Sequence, residues 1–162
     1  MNSRYKVVIY VLIFIIILSA IIFIRNEKNE YIQSNIKITP DEVMQIFKES
    51  GLNISEENPI NENNPGPMGF TKNGFSFKLE QNNKDYKVCV IMADGWKNAK
   101  LGSESSNHLD EEMRGGFNFS SAFGPIIIVV YPAESISDDL SYREISKELI
   151  VILSKNYSMT NR

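Results

Sequence analysis

The chain has 162 residues, 17 of them basic and 20 acidic, with a formal net charge of −3, 43% hydrophobic residues and 23% charged ones. That balance lies far from the low-hydrophobicity, high-charge composition of chains that stay unfolded, and the length accommodates one domain with a real core. All the acidic residues come after Ile24, as do all the basic ones but Arg4 and Lys6, and no two basic residues are adjacent; without the clustered cations that release counterions from phosphates, nucleic acid is not an expected partner.

The first element is the most strongly marked. Residues 7–24, opening at Val7 and closing at Ile24, read VVIYVLIFIIILSAIIFI without a single charge. At about 1.5 Å per residue, a helix of that length just crosses a hydrocarbon core of roughly 30 Å. The many β-branched residues would favour a strand in water, but in lipid only a helix pairs every backbone group within the segment. A cleaved signal fits less well, because the run exceeds the roughly 7–15 apolar residues of a signal core and Leu18-Ser19-Ala20 is followed by more apolar residues. No cysteine stands near its end, so a lipidated N-terminus is not expected. Arg4 and Lys6 on one side are matched by Arg25, Lys28 and Lys37 on the other, which leaves the positive-inside rule undecided. The short basic N-terminus running straight into the apolar segment favours the C-terminal part outside.

The chain thus divides into three segments: a membrane anchor at 1–24, a juxtamembrane stalk at 25–38, and an α+β domain at 39–157. The stalk is polar and mixed in charge, with room for a short strand at its end. Thr39-Pro40-Asp41-Glu42 then announces a helix through an N-cap, a proline at the first position and a T-x-x-E capping box. Val43, Ile46 and Phe47 form its apolar stripe, and Gly51 ends it so that Leu52 folds back on Phe47.

Glu56 to Gly69 contains Pro59, Pro65 and Pro67 among Asn and Gly, and is read as a loop. Phe75, Phe77 and Leu79 alternate as in a half-buried strand, a polar turn comes next at residues 81–85, and residues 86–93, YKVCVIMA, read as a central strand. Residues 96–114 predict one or two short helices broken at Gly102. FNFSSAF at 117–123 and IIIVVY at 126–131 predict two strands turning at Gly124-Pro125. A last helix opens with the capping box Ser141-x-x-Glu144 and carries Ile145, Leu149, Ile152 and Leu153 on one face. Short turns between paired strands predict an antiparallel sheet with the helices packed on one face.

Chemistry is sparsely marked. His108 is the only histidine and stands beside Asp110, Glu111 and Glu112, but one His among carboxylates falls short of the ligand set of a zinc site, so no metal is expected. A serine hydrolase using His108 lacks a G-x-S-x-G elbow. Cys89, the one cysteine, lies between Val88 and Val90 and reads as a small buried hydrophobe. Neither phosphate-cradling glycine motif occurs, so no nucleotide cofactor is expected. Asp138 and Asp139 abut a helix start, where capping accounts for them. Trp96 with Phe117, Phe119 and Phe123 is a candidate lining for a ligand groove, weighed against ordinary core packing.

The strings TPDEVMQIFKESGLNIS, GFSFKLE and YKVCVIMAD, separated by a proline-rich loop, resemble small uncharacterised exported or membrane-anchored proteins of low-GC Gram-positive bacteria, over about residues 39–153. This chain departs from them in carrying a membrane helix where many have a lipidated cysteine. The opening helix is also similar to that of wall-binding PASTA repeats, here in a single copy. The resemblance implies a location in the bacterial envelope and no particular reaction. Two functions are compatible with these features: a membrane-anchored extracytoplasmic module that binds an envelope protein or wall component, and a membrane-tethered hydrolase using His108 or a carboxylate pair.

Overall fold

The apolar N-terminal run is helical in the computed structural model, which describes residues 3–61, 63, 73–112, 118–132 and 141–160. Helix α1, Ser3–Ser34, is long and apolar enough to cross a membrane. Its large side chains are uncovered, with Phe14 66% and Ile16 67% exposed. The helix does not stop at Ile24 but continues through the polar stretch read as a stalk, where Ser34 and Asn35 hydrogen-bond carbonyls one turn back. Residues up to Asn35 and those from Ile36 onward form two separate compact units.

The second unit begins earlier than expected, because Ile36 and Ile38 are buried in its core. Helix α2, Pro40–Glu49, starts as its sequence dictates: the Thr39 hydroxyl accepts from the Glu42 amide at 3.3 Å while the Glu42 carboxylate accepts from the Thr39 amide at 2.7 Å. Gly51, at φ 76°, turns the chain out of the helix, and the Leu52 amide donates to the Phe47 carbonyl.

Strand β1, Asn53–Ile60, occupies part of the segment read as a loop and so corrects that expectation. It pairs antiparallel with β2, Gly74–Gln81, through a bulge between Ser55 and Asn58 that places Glu56 at φ 53°. The strand is polar because it lies at the sheet's edge with only Ile60 buried. At an edge Pro59 is tolerated, since its missing N–H leaves no ladder bond unmade. Residues 62 and 64–69 of the expected loop lie outside the described residues.

Strand β3, Lys84–Met92, pairs with β2 and then with β5, Ile126–Val130, while β4, Phe119–Phe123, closes the far edge. The order is β1-β2-β3-β5-β4, every neighbouring pair antiparallel. Helix α3, Gly95–Glu112, connects β3 to β4, and α4, Ser141–Thr160, ends the fold. Helix α3 passes through Gly102 unbroken. A Cβ there would stand 3.0 Å from the Ile127 side chain, so this glycine allows close approach of helix to sheet instead of ending the helix.

The helices cover both faces of the sheet, which corrects the expectation of one. On the first face α2 and α4 bring Val43, Phe47, Ile145, Leu149 and Leu153 against Phe77, Leu79, Val88, Val90, Ile126 and Ile128. On the second face Ala99 of α3 meets Cys89, Ile91, Ile127 and Val129. The pleat explains the partition, since odd and even residues of β3 and β5 point to opposite sides. The uninterrupted apolar run of β5 is the sequence mark of a strand covered on both faces.

Candidate functional site

Helix α3 lies mainly over β4 and β5, with Ala99 reaching Cys89 and Ile91 of β3, and among the described residues no helix covers the remaining half of the second face, around Ser76, Lys78 and Lys87. That half is built from short-range register. Ser76 and Lys78 share the face of β2, Asp85 and Lys87 that of β3, and Asn58 lies opposite Ser76 on β1. With Pro132 and Asn61, they line an open hollow of about 810 Å³.

Charge within the hollow is unevenly matched. Lys78 donates to Asp85 at 2.7 Å and stands 3.8 Å from Glu56. The hydrogen bond and charge of Asp85 hold its ammonium above the ordinary value, against a small pull from burial. Lys87 is the cross-strand partner of Lys78, yet among the described residues no carboxylate lies within ion-pair distance of it. Its ammonium instead stands 5.9 Å from the centre of the Tyr131 ring, a cation–π arrangement. The Tyr131 hydroxyl is pushed upward in pKa, by burial first and by the neighbouring Cys89 second.

A second cluster joins α3 to β4 and α4. Ser103, Ser106, Asn107 and Asp110 recur at helical spacing and form a polar underside to α3. Asn107 treats β4 as a neighbouring strand would: its amide donates to the Ser120 carbonyl at 2.8 Å and its oxygen accepts from the Ser120 amide at 2.7 Å. Ser103 and Ser120 exchange bonds to each other's carbonyls at 3.0 Å, and the Ser106 hydroxyl donates to Asn118. Asp110, wholly buried, accepts from the Tyr142 hydroxyl at 2.9 Å, the Asn118 amide at 3.3 Å and the Arg143 guanidinium at 2.7 Å. Burial pulls the Arg143 pKa down, but hydrogen bonds with Tyr142 and Asp110 outweigh it and the net shift is upward. This carboxylate has its hydrogen-bonding capacity taken up by protein groups, as expected of a structural tie.

Those residues singled out in the sequence that are described lie in different parts of the fold. Phe119 faces the first side of the sheet, with Lys147 5.6 Å and Arg143 5.9 Å from its ring centre. Trp96 is half-buried in the first turn of α3, on the opposite side, and Phe117 lies outside the described residues. Phe123 is buried and packs edge-on to Tyr157 at 5.8 Å. His108 is 72% exposed, with Glu112 at 3.5 Å one turn along the same helix. Cys89 is buried, and burial pushes its thiol up to about 11, partly offset by Lys87. Among the described residues no three His, Cys, Asp or Glu side chains converge as a metal site would require.

Lys78, Lys87 and Ser76 escaped sequence reasoning because isolated Ser and Lys in strands look like solvated positions. The one available signal was the alternation GFSFKLE opposite KDYKVCV, which in register sets two lysines side by side. No protein-family model, curated protein sequence or solved structure matches the chain.

Proposed function

We propose that this protein is a single-pass membrane-anchored binding or accessory module, held by α1, with its α+β domain on the extracytoplasmic side and its ligand surface on the open half of the sheet. The observation that carries the reading is the apolar surface of α1: from Val8 to Ile24 its large side chains are exposed all round the helix. Lipid is the environment that removes such a surface from water. The short basic N-terminus before α1 supports export of the domain beyond it, and the resemblance to envelope proteins agrees with an envelope protein or wall component as partner.

The orientation is tested with a single thiol. In a Cys89→Ser background a cysteine replaces Asn63, an exposed residue at the rim of the hollow, and intact cells are treated with a membrane-impermeant maleimide. Labelling before lysis is expected. Labelling only after lysis overturns the extracytoplasmic placement, and release of the protein from membranes by alkaline carbonate overturns the anchor.

A further inference from the structure

We infer that the open half-face of the sheet is an anion site, in which Lys87 and Ser76 receive one carboxylate or phosphate group of a larger and otherwise polar ligand; the inference rests on the reading of this face as the binding surface.

Lys78 and Lys87 are direct cross-strand partners on one face. Like charges in that relation repel, so a sheet that keeps them does so with compensation. Lys78 has its compensation in Asp85 at 2.7 Å and Glu56 at 3.8 Å. Lys87 has none among the described residues: it leans toward the Tyr131 ring at 5.9 Å, which favours its charge while leaving its N–H groups to donate elsewhere. Ser76 is its diagonal neighbour across the β2–β3 pair, close enough for both to reach one group. Its hydroxyl has no hydrogen-bond partner among the described residues. An ammonium and a hydroxyl with donors to give, side by side in a hollow of about 810 Å³, form the minimal arrangement for one oxyanion.

The same surroundings limit the ligand. Glu56 and Asp85 border the hollow and repel a second negative charge, and the domain beyond α1 is acidic as a whole. The ligand therefore carries a single anionic group with neutral polar mass around it, and a polyanion is disfavoured. A carboxylate at the end of a peptide, a phosphate monoester and an anionic lipid headgroup share this chemistry, and they are separated by where the anion resides.

The test uses the full chain in nanodiscs of phosphatidylcholine, its lysines reductively methylated with ¹³C and observed by NMR at constant ionic strength. Titration with inorganic phosphate and with acetate is expected to move the Lys87 signal, assigned by its loss in Lys87→Gln, along a saturating curve. Ser76→Ala is expected to weaken that response severalfold, and the exposed Lys97 to drift without saturating. A Lys87 signal that tracks Lys97 overturns the inference. Nanodiscs containing phosphatidylglycerol, with no soluble anion, assign the source: a Lys87 signal already at its bound position means a headgroup, and an unmoved one means a soluble or protein-borne anion.

The binding face itself is tested separately by photocrosslinking from position 58 in native membranes. A partner captured there and lost about tenfold in Lys87→Gln but not in Lys97→Gln supports both the face and the anion. A partner captured equally well by Lys87→Gln overturns the anion and leaves the face standing.

Discussion

The two faces of the sheet are closed by different physics. Toward α2 and α4, the contact is made of apolar side chains: Phe47, Leu149 and Leu153 are almost entirely removed from water, and Phe47 meets Phe77 edge-on at 6.2 Å. Toward α3, the helix buries Ala99 with Ser103, Ser106 and Asp110, so a stripe of hydrogen bonds takes the place of an apolar one. Area burial stabilises without regard to direction, whereas hydrogen bonds hold only in one geometry. The first face is thus expected to supply most of the stability, while the second fixes where one helix lies and, among the described residues, has no helix over the part around Ser76, Lys78 and Lys87.

The comparison breaks most visibly at Phe47. Phe47→Ala is expected to destabilise the domain by about 4 kcal/mol, the range for emptying a fully buried phenyl site. In guanidinium unfolding of the full chain in detergent, far-UV circular dichroism and the fluorescence of Trp96 on α3 should shift together. A loss below about 1 kcal/mol would show that the first face is not the stabilising one.

On the second face the largest effect belongs to Asp110. Asp110→Ala leaves the Arg143 guanidinium, 24% exposed, without its carboxylate and the Asn118 amide without its acceptor. A loss of about 3 kcal/mol is expected, at the lower end for breaking a buried ion pair because Arg143 keeps some access to water. Here the two readouts should separate, with Trp96 fluorescence changing at lower denaturant than circular dichroism, because the tie holds α3 specifically. Coincident transitions would make α3 part of one cooperative unit with the core.

Legibility in the sequence divides along the same line. The caps of α2 were legible because Thr39, Glu42 and Gly51 act on neighbours a few residues away. Strands β2, β3 and β5 were legible because their side chains are sorted by burial. Strand β1 was not, since an exposed edge strand has no apolar alternation to betray it and Pro59 argued for a loop. Helix α3 was read as broken because Gly102, whose reason is the distant Ile127, looks like a stop when only its neighbours are considered. The hollow was invisible for a related reason: its residues come from three strands, and only their register brings Lys87 beside Lys78.

Alkaline pH sharpens the contrast by asking how firmly α3 and the sheet exclude water from Cys89. Its thiol is held at about 11 against an ordinary 9.0, so the folded state keeps the proton where the unfolded chain loses it. The stability this contributes is whole below pH 9 and is lost as the pH rises through 11, by about 3 kcal/mol in total. Tyr131 shifts in the same direction and adds a further loss above its ordinary value of 10.0. Unfolding of the wild type and Cys89→Ala compared across pH 8 to 11 should therefore show a steeper decline in the wild type. Parallel curves would mean that water reaches the thiol beneath α3.

The smallest effect is expected at Asn107, and it bears on why the second face carries so many polar groups. A sheet's edge strand presents N–H and C=O groups that template further strands. At β1 the bulge at Glu56 and the imide of Pro59 interrupt that template. At β4 the Ser120 amide and carbonyl are both occupied by the Asn107 side chain, so α3 closes this edge while the core closes the other face. Asn107→Ala removes the cover, and water entering the half-buried site recovers part of the lost bonding, so a destabilisation of about 1–2 kcal/mol is expected. Because the bared groups lie on a strand, the variant should also self-associate in sedimentation velocity runs where the wild type and Asn98→Ala, altered on the exposed side of the same helix, do not. If Asn107→Ala loses stability without associating, the amide serves only to position α3, and the edge is kept from pairing by the bulk of the helix lying over it.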